Sequence, residues 1–215
     1  RIISAKAPRT ANKLRTFALR AYNLAMTARA SMNIASEFKD FKIIANPLAI
    51  IKPNSVNEVQ DIKWLSQSDL HLYFSLIKDE KSIRAAALRI HLFSGGLRPA
   101  QLLRLTKSDV FEDHFRLYDI KGQAGRPRPY LTPVLGWYRE DIEYLLNQNC
   151  KLDSDFVFST DEGQTMLSTH TLAKWAQDIV KDKIARFQLK QVRSGIETLL
   201  ASFDVSKDIR GRLQS

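Results

Sequence analysis

Ser94-Gly95-Gly96-Leu97-Arg98-Pro99-Ala100-Gln101-Leu102-Leu103-Arg104-Leu105 is the stretch that decides the fold. Two glycines end an apolar helical run. An arginine follows, and Pro99 suits the first turn of a new helix. Arg98 is therefore expected where a helix begins, at unpaired N–H groups and the positive end of a dipole, a setting that favours an anion. The plainer alternative is a corner arginine in water. This stretch alone leaves both open.

Composition narrows the partner. The 215 residues carry a net charge of +10 with 44% hydrophobic residues, enough for one large or two small domains with a real core. The pI of about 9.8 points to a polyanion, with nucleic acid ahead of an anionic membrane surface. A single cysteine, Cys150, excludes a disulfide framework and a thiolate cage, and four histidines lie scattered without ligand spacing. No metal site and no cofactor are expected. No apolar run approaches the roughly 20 residues of a membrane span, no signal peptide is visible, and a cytoplasmic protein follows. The start at Arg1 rather than Met points to a fragment or a processed start.

Residues 1–36 hold seven Lys or Arg and no acid. Thr10 to Ala30 reads as a helix, with Leu14, Phe17, Ala18, Ala21, Leu24, Ala25 and Ala28 at three- and four-residue steps. Arg9, Lys13 and Arg20 share another face. A purely basic face of this kind can follow a phosphate backbone, whereas ordinary solvated faces mix both signs. Pro47, Pro53 and a polar run put a linker at about residues 52–63, dividing a helical domain at 1–62 from a second domain at 63–215.

The second domain is expected to be mainly α with a small antiparallel β-hairpin, an α+β class. Ser66 with Asp69 is a capping-box pattern opening one helix, and Ser82 opens the next, which delivers the chain to Gly95. A short helix runs from Pro99 to about Thr106. Phe115 to Ile120, the turn Lys121-Gly122-Gln123-Ala124-Gly125 and Arg126 to Thr132 form the hairpin, with Lys121 at the strand end. Arg126 and Arg128 on the returning strand are candidate DNA contacts. Helices then cover Gly136 to Gln148, a segment from Ser168 to Val180, Gln191 to Ala201, and Val205 to the end. Lys190 and Arg193 share a face at the first turn of the third of these.

Arg98 and Arg193 near helix starts, with Lys121 at a turn, could clamp one phosphate. Guanidinium forks bind its oxygens bidentately, and a lysine can protonate a departing oxygen. Fixed cations would supply the charge stabilisation that Mg²⁺ supplies elsewhere.

Gly95 to Leu105 resembles the first-arginine box of the tyrosine recombinases, the phage-integrase family. Ile120-Lys121-Gly122 with Arg126 to Pro133 resembles the hairpin carrying that family's catalytic lysine. Lys190-Gln191-Val192-Arg193 resembles its His-x-x-Arg box, and Val205 to Ser215 the lead into its Leu-Gly-His-type motif. These cover about residues 64–215 in the family's order. Residues 1–62 resemble part of the helical core-binding domain.

The resemblance implies site-specific recombination of double-stranded DNA by a homotetramer in a bacterial cell. A tyrosine would attack a phosphodiester, forming a 3′-phosphotyrosyl link and freeing a 5′-hydroxyl. Arg98 and Arg193 would stabilise the phosphate, Lys121 would protonate the leaving oxygen, and neither ATP nor metal would take part. Lys190 stands where the family has histidine and is expected to act electrostatically rather than as a base. Gln101 replaces the usual carboxylate and is expected to support Arg98 by a hydrogen bond. None of the six tyrosines matches the nucleophile, which would lie beyond Ser215, and Tyr130 and Tyr144 are expected in the core or at its rim. The chain as given is thus expected to bind DNA without cleaving it. Alternatives are an inactive DNA-binding protein of the same fold, a type IB topoisomerase-like enzyme and, more distantly, an RNA-binding or adaptor protein.

Overall fold

The computed structural model describes residues 8–34, 36–40, 42–53, 64–119, 127–149 and 155–214. The chain divides into two compact units, Arg1–Asp61 and Ile62–Ser215.

In the first unit, helix α1 (Pro8–Thr27) is followed by 3-10 turns at Ala28–Ala30 and Ser36–Asp40. Asn46 Nδ2 donates to the Leu19 carbonyl at 3.1 Å and to Asn23 Oδ1 at 2.7 Å, lacing the later chain back onto α1. Leu14, Phe17 and Leu24 belong to the apolar face that the sequence pattern gives this helix, and the structure leaves them exposed. They are 59%, 67% and 58% exposed, and Ala28 is the stripe's buried member. Short turns tied by polar side chains present too little apolar surface to cover a helix face.

The second unit is built on helix α3 (Ile83–Phe93), preceded by α2 (Gln67–Ile77). Ser66 caps α2 with both halves of the box: its Oγ accepts from the Asp69 amide at 3.1 Å, and its own amide donates to Asp69 Oδ2 at 3.2 Å. Ser82 caps α3 on one side only, its Oγ accepting from the Ala85 amide at 3.1 Å. Ala85, Ala86, Ala87, Leu88 and Ile90 are wholly buried, so α3 is apolar on most of its circumference and becomes the central element. Its alanines let α5 (Gly136–Gln148) lie close, with α2 and α6 (Thr169–Val180) also against it.

Gly95 and Gly96 end α3 with φ of +87° and +66°, and the Gly96 amide donates to the His91 carbonyl at 3.0 Å. The chain then reverses into α4, which spans only Pro99–Leu102. The expected extension to Thr106 does not form. The Val157 amide takes the Leu105 carbonyl at 3.1 Å and Thr106 pairs with Phe156, which draws the backbone out of the helix.

Strands β1 (His114–Asp119) and β2 (Arg128–Pro133) form the antiparallel sheet, with Asp119 opposite Arg128 at the end where the chain passes from one strand to the other. Phe115 and Leu117 face the core, and Arg116 and Tyr118 alternate outward. Helices α7 (Lys190–Ser202) and α8 (Lys207–Leu213) close the unit. No helix among the described residues is long and apolar enough to cross a membrane.

Candidate functional site

The glycine turn places Arg98. Because Gly96 has no Cβ, the turn can lie directly on α7: a Cβ there would stand 2.6 Å from Arg193 Cα. This close approach of turn and helix brings Arg98, the residue before α4, within electrostatic reach of Arg193 in the first turn of α7. Gln214, at the end of α8, fixes this junction. Its buried Nε2 donates to the Gly95 carbonyl at 2.9 Å and to the Arg193 carbonyl at 3.0 Å. Sequence reading missed Gln214, and no local pattern flags a bond spanning 119 residues.

Both arginines are half-buried. Arg193 Nη1 is buried without a hydrogen-bond partner among the described residues. Burial, and then the like charge of Arg98, lower the Arg193 pKa, with Glu197 opposing. The two like charges act on each other, and an anion bound between them would relieve that repulsion. The helix-dipole contribution expected at Arg98 is corrected: a four-residue helix sums too few peptide dipoles to matter, so the guanidiniums themselves carry the field.

His91 lies beneath, in the last turn of α3. Burial lowers its pKa to about 4, the Leu97 carbonyl bonded to its ring opposes this, and Arg193 lowers it further. The ring is therefore neutral at pH 7 and adds no third positive charge.

Gln101 does not support Arg98 as expected. Its Nε2 donates to Asp119 Oδ1 at 3.0 Å and its Oε1 accepts from the Tyr130 hydroxyl at 3.3 Å. Gln101 lies three positions after Arg98 on a single helical turn, and Asp119, across at the end of β1, holds its amide toward the hairpin. Tyr130 is accordingly more than a rim residue. Burial and Asp119 push its phenol up to about 12, against the pull of Arg98 and Arg193, so it lies within the arginines' field.

Among the residues read as catalytic, the structure brings Arg98 and Arg193 together. Lys190 is exposed at the first position of α7. Lys121 and Arg126 lie outside the described residues. Arg128 starts β2 and is exposed. In the first unit Lys13 and Arg20 are exposed on α1, and Arg9 belongs to the same helix. Of the other tyrosines, Tyr73 and Tyr138 are fully buried.

No protein-family model matches the chain, and no curated protein does. Solved structures do match. A lambda integrase dimer bound to a COC′ core site superposes with a TM-score of 0.66 at 12% identity, over 99% of this chain and 57% of that one. A lambda integrase tetramer bound to a Holliday junction gives 0.66 at 13% identity, over 99% and 60%. The XerH site-specific recombinase bound to a difH substrate, in its pre-cleavage complex, gives 0.55 at 18% identity, over 70% and 46%. The chain therefore spans 57–60% of the length of the two integrase chains. At these identities the likeness is one of fold. The chain is mostly helical with a two-stranded antiparallel sheet, and its fold is that of the tyrosine-recombinase catalytic domain.

Proposed function

We propose that this chain binds double-stranded DNA and that the whole protein is a site-specific tyrosine recombinase acting as a homotetramer on DNA in the bacterial cytoplasm. The carrying observation is the pair Arg98 and Arg193, two half-buried like charges within electrostatic reach of each other, with a buried Arg193 guanidinium nitrogen left without a partner among the described residues. That arrangement fits a non-bridging phosphate oxygen pair better than a structural role. The fold adds weight, since the matched integrase structures are DNA complexes by their own description.

In the proposed reaction a tyrosine oxygen attacks phosphorus, the bond to the 5′-oxygen breaks, and a 3′-phosphotyrosyl link remains. Arg98 and Arg193 stabilise the charge that builds on the phosphate oxygens. Lys121 gives the proton that the 5′-oxygen takes as it leaves. Lys190 adds positive charge at the mouth of the site. Arg9, Lys13, Arg20, Arg126 and Arg128 contact the DNA backbone. No cofactor enters the scheme. The proposal assigns the nucleophile to none of the six tyrosines; in support, Tyr73 and Tyr138 are buried, and the hydroxyls of Tyr118 and Tyr130 donate to Asp109 and Gln101.

The test is duplex-DNA affinity measured across salt concentrations. Counterion release makes log K fall linearly with log salt, by about 0.9 per phosphate neutralised. A steep line is expected, and a flat one contradicts the proposal. On a nicked suicide substrate the chain is expected to form no covalent adduct. An adduct on any of these six tyrosines would place the nucleophile elsewhere than proposed.

A further inference from the structure

We propose that Asp119, Gln101 and Tyr130 form a positioning chain that brings a carboxylate's influence to the arginine pair without placing a carboxylate against either arginine. The inference rests on the reading of Arg98 and Arg193 as phosphate ligands.

Gln101 is 6% exposed, so its amide cannot trade partners with water. Asp119 Oδ1 accepts from its Nε2 at 3.0 Å, which fixes the amide's orientation, because the flipped form would set two oxygens against each other. Gln101 Oε1 is thereby presented to Tyr130, whose hydroxyl donates to it at 3.3 Å. The phenol's proton is committed to Gln101 and its lone pairs are turned elsewhere. Arg98 and Arg193 both act on this phenol, and both favour negative charge on its oxygen. The chain joins α4, the end of β1 and the middle of β2, so it also ties the hairpin to the turn that carries Arg98.

The arrangement resolves a conflict. A carboxylate touching a guanidinium orients it, but also occupies donors and neutralises charge that a phosphate needs. The chain instead holds α4, and with it the turn that carries Arg98, against the hairpin, and the neutral phenol leaves the arginines' charge intact. The negative charge stays two hydrogen bonds away, on Asp119. Tyr130 and Asp119 are therefore positioning residues rather than catalytic ones.

The test uses the full chain and a duplex DNA at one fixed salt concentration, with ¹³Cζ-tyrosine NMR as the second readout. Tyr130→Phe and Asp119→Ala are each expected to weaken binding about 3- to 10-fold, the scale of one hydrogen bond in a charged network. The double variant is expected to be no weaker than the worse single one, because both break the same chain. Gln101→Glu with Asp119→Asn keeps both hydrogen bonds and one carboxylate, and is expected to bind within about twofold of the parent, the precision of such a comparison. The Tyr130 resonance is expected to titrate at lower pH in Asp119→Ala than in the parent. Additive losses, a swap variant as weak as Asp119→Ala, or an unmoved Tyr130 titration overturns the proposal. The phosphate reading fails by a different sign: Arg98→Ala and Arg193→Ala would bind DNA as the parent does. The positioning chain is then decided by the Tyr130 titration alone.

Discussion

Gly96→Ala is expected to destabilise the second unit by about 2–5 kcal/mol, combining left-handed backbone strain with overpacking. Gly96 has φ +66°, where an L side chain is strained in any surroundings. Its new Cβ would also meet Arg193 Cα at 2.6 Å and Arg193 N at 2.9 Å. Both are backbone atoms of a packed helix and cannot swing away as a flexible side chain would. The chain must separate the turn from α7, which breaks the Gln214 bonds to Gly95 and Arg193 and parts the two arginines. Urea unfolding checks this, as a lowered midpoint with an unchanged slope. Gly136→Ala is the control, since nothing lies within 4 Å of a Cβ there, and it is expected to change stability by less than about 0.5 kcal/mol. A Gly96→Ala protein as stable as the parent would mean that the close approach of turn and helix is wrong.

Asp141→Ala is expected to cost about 3–5 kcal/mol, the range for removing one partner of a buried ion pair. Arg89 on α3 reaches Asp141 on α5 with Nε at 2.9 Å from Oδ2 and Nη2 at 2.6 Å from Oδ1. The side chains are only 13% and 11% exposed. Arg89 Nη1 also donates to the carbonyls of Ile77 and Glu80, which fastens the end of α2 to the central helix. Losing the carboxylate leaves a buried guanidinium with half its partners. Replacing both residues, as Arg89→Met with Asp141→Leu, is expected to restore most of the loss, because a buried pair is often matched by apolar residues of similar size. Glu80→Gln, which weakens the more exposed Arg84–Glu80 pair, with side chains 39% and 31% exposed, is expected to change stability by less than about 1 kcal/mol. Equal effects at Asp141 and Glu80 would contradict the burial argument.

What was legible in the sequence was local. Ser66 with Asp69 and Ser82 announce helix starts because a cap needs only neighbours three residues on. Gly95-Gly96 announces a left-handed turn because no other residue adopts that backbone cheaply. The hairpin shows in the alternation of Phe115 and Leu117 with Arg116 and Tyr118. The missed features join distant stretches. Gln214 to the Gly95 carbonyl, Arg89 to Asp141 and Gln101 to Asp119 connect residues 119, 52 and 18 apart, and neither end of any of them stands out in its own stretch of sequence. Gln101 was singled out, but one dimension could not show that it turns from Arg98 to the hairpin. The stripe on α1 shows a related limit. Period 3.6 marks a face as apolar and says nothing of whether a partner covers it.

The central claim is that Arg98 and Arg193 hold one DNA phosphate between them. The most direct measurement is duplex-DNA affinity against salt for the parent and for Arg98→Ala with Arg193→Ala. The double variant is expected to bind about 10- to 100-fold more weakly, with a salt slope shallower by about one rather than two, since both arginines serve the same phosphate. Affinity and slope equal to the parent's would contradict the claim.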